Sequence, residues 1–440
     1  MFIYYLNIII CEYLGIKCTD FIKFTGDDIK KYVFLYTRQF HDKSEKNARY
    51  ITIVENMDGL DKYTNLLDIC FCSSFNKIIP VKFLKNKKRK KNKQHITCFP
   101  NTVINFSFGS CFNQEILPYT FPDSAKQITF GYNFDKPLRD LPNSLEYISF
   151  GYCFNQPLST PDLQKILPDS VKEIIFGFRF NQHLSIMYYS LLPRSLEKII
   201  LGTMFNINLD VWHDEFDQLQ SAFPETLKEI DLGYRFNQSL QPGVFPKNVT
   251  KIIFSKMFNK PLPVGIFPDS VKTIIFGNNF DQVLEIGIFP NSLEDITFGC
   301  NYNKFIKYHV FPNSIKSITF GDCFNQPLVL FPNSVEYIKF GASFNQFIKP
   351  FVLPNTLKIL ELGQYYNKQF VKNVLPNSLE KLILGYEFDC VLKNNILPNS
   401  LKELIFCGKF NKKIRTYTLP NSLKKIVFGN FFKQRLKEKH

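Results

Sequence analysis

The chain has 440 residues, 48 of them Phe but only one Trp, with 45% hydrophobic residues and a formal net charge of +15. That apolar share excludes global disorder, and alanine at Ala48, Ala125, Ala222 and Ala342 alone argues against long helices. Lys82–Lys93 carries eight of the positive charges and Phe431–His440 a net three, which leaves four for all the rest, so the folded surface is not expected to bind nucleic acid.

Residues 1–45 read as a small helical cap, because the terminal turns of a repeat array need atypical covers. Met1–Cys11 is apolar, yet it lacks a basic leader and a small-residue cleavage site, and Glu12 ends it too soon to span a bilayer. Neither a secretory signal nor a membrane span is expected. Residues 46–80 hold a degenerate first copy, in which Tyr63–Ile78 keeps Leu66, Ile69, Phe71, Phe75 and Asn76. Residues 81–98 form a basic insertion. Its run Lys85–Lys93 reads as a solvated loop, a nuclear-import signal or a site for an acidic partner.

Residues 99–433 are a tandem array. A Pro preceded by Phe or Leu recurs fifteen times from Pro100 to Pro420, and nine of the fourteen intervals are 22 residues. Such periodicity defines a solenoid. Counting this Pro as position 1, the unit reads Pro-Asn-Ser-Leu-Lys-x-Ile-x-Phe-Gly-x-x-Phe-Asn-Gln-Pro-Leu, as in Pro312–Leu328. Positions 7 and 9 are apolar and share one face of a short strand, leaving 6 and 8 on the other. Position 10 is Gly in thirteen copies, which predicts either positive φ or close backbone approach. Position 13 is always Phe or Tyr, and stacking at the strand spacing of about 4.8 Å would build an aromatic spine. Position 14 is Asn or Asp in all but the last copy, where Lys433 stands, and it suits an internal side-chain ladder. Position 5 alternates in sign between most neighbouring copies (Lys126, Glu146, Lys172, Glu197, Lys228, with Thr250 breaking the series), which favours parallel stacking in sequence order. A basic tail, 434–440, closes the chain.

The unit resembles the FNIP repeat, whose signature falls at positions 13 to 16. Phe-Asn-Gln-Pro stands at 154–157 and 324–327, and Phe-Asn-Lys-Pro at 258–261. Departures are Ser255 and Cys407 at the Gly position, and Ile207 and Cys390 after the Asn or Asp. The resemblance implies a leucine-rich-repeat-like solenoid with short parallel strands on one face, protein–protein contact and no catalytic residues. Some members of the family carry an N-terminal F-box, which docks the Skp-type adaptor of a cullin-RING ubiquitin ligase. Residues 10–24 resemble the middle of that motif, with Leu14, Ile16, Phe21 and Phe24 as buried or adaptor-facing positions. The motif's Leu-Pro opening and later Trp are missing.

No HExxH, GxSxG, Walker A or dinucleotide-binding pattern occurs, so neither an enzyme nor a cofactor or metal site is expected. Ser195-x-x-Lys198 and Ser378-x-x-Lys381 match a β-lactamase-type string but fall at positions 3 and 6 of the repeat. The eleven cysteines show no zinc-type CxxC pairs, and scattered thiols point to a reducing compartment, cytosol or nucleus. Cys70 and Cys72, spaced as CxC, are expected on one face of a strand. Partner contact is expected on the outward position 8, where Ile175 and Ile200, Ile253 and Ile275, and Ile383, Ile405 and Val427 form three apolar runs. A second candidate is Trp212 with Phe216, in the longest insertion, the 31-residue Pro193–Pro224 interval. Two functions fit: a substrate receptor bringing a captured protein to a ubiquitin ligase, or a binding scaffold or decoy without that link.

Overall fold

The computed structural model describes residues 50–53, 60, 63, 65–85, 93–186, 189–209, 211–213, 219–415 and 417–435, and residues 1–45, with the expected cap, lie outside this set. By internal contacts the chain forms two compact units, Met1–Val171 with Phe176–Phe178, and Lys172–Ile175 with Arg179–His440. No α-helix occurs among the described residues.

In the first unit, strands β1 (Tyr50–Ile53) and β2 (Asp68–Phe71) precede an antiparallel pair, β3 (Lys82–Lys85) and β4 (Lys93–Ile96). Then come β5 (Asn105–Ser107), β6 (Gln127–Thr129) and β7 (Tyr147–Ser149). Strands β1, β2, β5, β6 and β7 pair in parallel, each with the next. The basic insertion therefore begins and ends as a two-stranded ribbon, while its centre, 86–92, lies outside the described residues.

The second unit repeats the pattern with β8 (Glu173–Ile175), a short ribbon of β9 (Ser185–Ile186) and β10 (Tyr189–Ser190), and β11 (Lys198–Ile200). A second ribbon, β12 (Val211–His213) and β13 (Leu219–Ser221), precedes β14 (Glu229–Asp231), β15 (Lys251–Ile253), β16 (Thr273–Ile275) and β17 (Asp295–Thr297). The array continues through β18 (Ser317–Thr319), β19 (Tyr337–Lys339), β20 (Ile359–Glu361), β21 (Lys381–Leu384), β22 (Glu403–Phe406) and β23 (Lys425–Val427). Leaving the ribbons aside, every strand here pairs in parallel with the one a turn away.

The three-residue strand β16 buries its central residue, position 7, and the residue that follows the strand, position 9, is buried as well. Positions 4, 7, 9 and 13 are buried in the turn of Pro268, as Val271, Ile274, Phe276 and Phe280. A buried aliphatic or aromatic side chain contributes about 1.5–3 kcal/mol, so four per turn offset much of the ordering cost. Phe280 stacks on Phe258 at 6.1 Å and on Tyr302 at 6.0 Å. The aromatic spine thus exists, but its spacing is wider than the expected strand spacing. The bond that joins the turns there also differs from the strand ladder. At position 14 the link is a side chain: Asn259 Oδ1 accepts the Asp281 N–H at 3.0 Å, and Asp281 Oδ1 accepts the Asn303 N–H at 2.9 Å. Lys433 donates its N–H to Asn411 at 2.9 Å but has no side-chain acceptor to extend the ladder. A hydroxyl ladder runs at position 3, where Ser270 donates to the Val249 carbonyl at 2.6 Å and Ser378 to that of Leu357 at 2.8 Å. Ser378 is therefore a rung of the solenoid.

The glycines of position 10 answer the choice left open above. A Cβ on Gly321 would overlap the carbonyl of Gly299, so close approach is the requirement there. Positive φ belongs to position 20, where Gly243, Gly265 and Gly287 alternate with Asn373 and Asn395 in other turns. Both departures at position 10 have a local accommodation. Gly233, opposite Ser255 in register, is the one column member with positive φ (+75°), and its N–H is held by Asp231 Oδ1 at 2.8 Å. Cys407 is exposed, and the buried Gly408 follows it, its own Cβ site filled by Tyr386. The degenerate copy differs again: Cys72 stands past the end of β2 and is buried, whereas Cys70 is half-buried, so the two do not share one environment.

Candidate functional site: the outer strand face

Positions 6 and 8 form the outer face of the second unit's strands. In register, position 8 runs Ile175, Ile200, Asp231, Ile253 and Ile275, then through Thr297, Thr319, Lys339 and Glu361 to Ile383, Ile405 and Val427. The isoleucines are half-buried and Val427 is exposed. Each of the three expected runs is therefore a contiguous row. Asp231 sits between the first two, a residue the sequence reading passed over, so that they flank a carboxylate. Burial pushes the Asp231 carboxyl up, while its bond from Gly233 acts the other way. Glu361, also on position 8, has side-chain partners: Lys339 Nζ at 3.7 Å and the Tyr337 hydroxyl at 3.2 Å, which burial and this carboxylate push up to about 12.

Position 6 surrounds the apolar rows with paired charge. Lys198 bonds Glu173 at 3.1 Å, Lys251 bonds Glu229 at 3.0 Å, and Lys381 bonds Glu403 at 3.4 Å. One column over, position 5 pairs Lys228 with Glu197 at 2.7 Å, and Glu294 with both Lys272 (3.4 Å) and Lys316 (2.6 Å). These exposed pairs add little stability each. Their effect is to fix register and to leave the isoleucines as the unpaired part of the face.

The other expected sites fare differently. Trp212 stands on β12 opposite Gln220 of β13 and is half-buried, away from the parallel strands in sequence and in pairing. Phe216 lies outside the described residues, as do Leu14, Ile16, Phe21 and Phe24. Two more exposed rows went unread, at position 16 (Val283, Phe305, Phe347) and position 19 (Val264, Ile286, Tyr308, Leu330). Their signal was available, since apolar residues recur there in neighbouring turns, but these columns lack the invariance that drew attention to positions 7 to 14. No group of three or more His, Cys, Asp or Glu side chains suited to a metal ion occurs among the described residues. No helix among them is long and apolar enough to cross a membrane.

Stacked short parallel strands, one face buried and one exposed, define a leucine-rich-repeat-like solenoid, an architecture suited to protein–protein contact and of a non-enzymatic kind. The chain belongs to the FNIP Repeat family, which matches residues 92–204 and 217–439 in overlapping or abutting segments. Among solved structures, it is similar to CroV588, described as a novel circular LRR protein, with 30% identity and a TM-score of 0.71 over 89% of this chain and 61% of that one. The chain thus spans less than two thirds of that protein's length. It is also similar in fold to a chain of the Drosophila Toll–Spatzle complex, at 11% identity and a TM-score of 0.55 over 87% of this chain and 55% of that one. The comparison with curated proteins gave no match.

Proposed function

We propose that the chain is a binding module that captures a protein on the outer strand face, with the isoleucine rows of position 8 as the core of the contact. The register that brings Ile383, Ile405 and Val427 side by side, on a face left open to solvent, carries this reading. An interface core is apolar and depleted in charge, and its rim is polar. The isoleucine rows and the paired lysines and glutamates beside them have that arrangement. Trp212 is a second anchor. Ile383→Lys with Ile405→Lys should weaken capture of the partner from cell lysate by more than tenfold while leaving the unfolding midpoint near wild type, as should Trp212→Ala. Unchanged capture by both variants would place the contact elsewhere.

The finer reading is that captured proteins are delivered to a cullin-RING ubiquitin ligase through residues 10–24. Its support is the F-box resemblance of that segment. Leu14→Asp with Phe21→Asp should abolish co-purification of a Skp-type adaptor. If the wild-type chain binds no such adaptor, the module acts as a scaffold or decoy.

A further inference from the structure

Apart from Cys70 and Cys72, two residues apart in sequence, the described cysteines come together across turns at Cys300 and Cys323. Cys300 and Cys323 occupy positions 11 and 12 of consecutive turns, and the Cys323 N–H donates to the Cys300 carbonyl at 2.8 Å. The Cα–C, C=O and N–Cα bonds add only about 4.2 Å to that contact, so the two Cα atoms lie within about 7 Å, inside the reach of a disulfide. The turns come this close because Gly299 and Gly321 precede the two cysteines and a Cβ at Gly321 has no room. Both thiols are accessible, Cys300 half-buried and Cys323 exposed. They also sense each other: burial first, and then the Cys323 thiol and the Asp322 carboxylate, push the Cys300 thiol up. Cys300 Sγ lies 4.0 Å from Asp322 Oδ2, and Cys323 Sγ lies 4.0 Å from Asn301 Oδ1.

We propose that Cys300 and Cys323 form a redox-active dithiol that closes into a disulfide between adjacent turns in the presence of a small disulfide oxidant such as oxidised glutathione. Exposure decides the order of events. The Cys323 thiolate attacks one sulfur of the oxidant, forming a mixed disulfide and releasing one glutathione thiolate. Cys300 then gives up its proton to the solvent, from which the released glutathione thiolate takes one up. Its sulfur attacks that of Cys323, and the second glutathione thiolate leaves. Two protein thiols are oxidised and one glutathione disulfide is reduced, and the two thiol protons end on the two glutathione molecules. The bond would enclose one whole turn, from residue 300 to residue 323, and tie it to its neighbour. In a reducing compartment the pair rests open and closes on oxidative challenge.

The test uses the full chain in glutathione buffers of increasing oxidised fraction, quenched with acid and N-ethylmaleimide and digested for mass spectrometry. A linked peptide pair joining Cys300 to Cys323 is the expected product, at an oxidised fraction where exposed Cys407 carries at most a glutathione adduct. Cys300→Ser should instead accumulate glutathione on Cys323, and Cys323→Ser should leave Cys300 largely as a thiol. A wild-type chain that accumulates glutathione on Cys323 without closing, or that reacts at Cys407 as readily as at the pair, would overturn the proposal.

Discussion

Asn303 accepts the backbone N–H of Asn325 through its side-chain Oδ1 at 2.9 Å, and the same oxygen takes the Gln326 Nε2 at 3.1 Å. One carboxamide thus serves two donors of the following turn. Asn303→Leu leaves the Asn325 N–H without an acceptor and Gln326 with only the Asn303 backbone carbonyl at 3.1 Å, and should cost about 1–3 kcal/mol. Asn303→Asp keeps the oxygen, as Asp135, Asp281 and Asp389 do in their turns, and should stay within about 1 kcal/mol of wild type. Urea unfolding of the two variants checks the difference, and hydrogen exchange at the Asn325 amide should rise only in the first.

The two kinds of glycine predict opposite responses to one substitution. A Cβ at Gly265 meets nothing within 4 Å, and the equivalent positions of other turns hold Asn373 and Asn395 at similar φ. Gly265→Asn should therefore change stability by about 0.5 kcal/mol or less, since Asn tolerates the left-handed region. Gly321→Asn drives a side chain into the Gly299 backbone and should cost about 3 kcal/mol or more. Equal unfolding midpoints would refute the close-approach account of position 10.

Tyr302 stands in the phenylalanine column, fully buried, and its hydroxyl has no hydrogen-bond partner among the described residues. Burial pushes that phenol well above the usual tyrosine range. Tyr302→Phe removes the stranded hydroxyl and keeps the stack, so a gain of about 1 kcal/mol is expected in thermal or urea unfolding. A loss of stability would show that the hydroxyl is satisfied.

Glu294 lies between Lys272 and Lys316, and its bond from Lys316 holds the carboxyl below the usual range. Such a group favours the folded state above its unfolded pKa, and that contribution is lost as pH falls through the carboxylate range. Glu294→Lys should lower the urea midpoint at neutral pH and low salt. The difference should shrink at about 1 M salt, where exposed charges are screened, and on acidification. A deficit that persists in salt would indicate a packing role for the side chain.

Positions 7, 9, 13 and 14 were legible in the sequence because each does one job in every turn, and repetition turns a weak local signal into a strong one. Ile274, Phe276 and Phe280 behave as their spacing predicts. Position 20 was opaque for the opposite reason. The left-handed conformation there is met by Gly287 and Asn373, but also by Tyr119, Phe351 and Tyr417, which no turn rule would nominate. The serine of position 3 was visible, but its partner, a carbonyl one turn back, appears only once the turns are stacked. Asp231 escaped notice because its purpose lies in another turn: it holds Gly233 in the conformation found opposite Ser255. The binding face was legible as runs of isoleucine, whereas the rows of positions 16 and 19 vary in residue type from turn to turn.

The side-chain ladder of position 14 also bears on how such an array can change length over evolutionary time. Each turn before that of Lys433 brings one acceptor, an Asn or Asp oxygen, and one donor, its own backbone N–H, and spends them on opposite neighbours, as Asp281 does. A segment copied whole by tandem duplication would carry a matched set, and the turns on either side of the insertion would find the same chemistry they had lost. Shortening by whole units is equally neutral. Gain or loss of a fraction of a unit leaves an oxygen and an amide out of step, so heritable variation in this chain should come in whole turns, with extra residues confined to the segments between the strands.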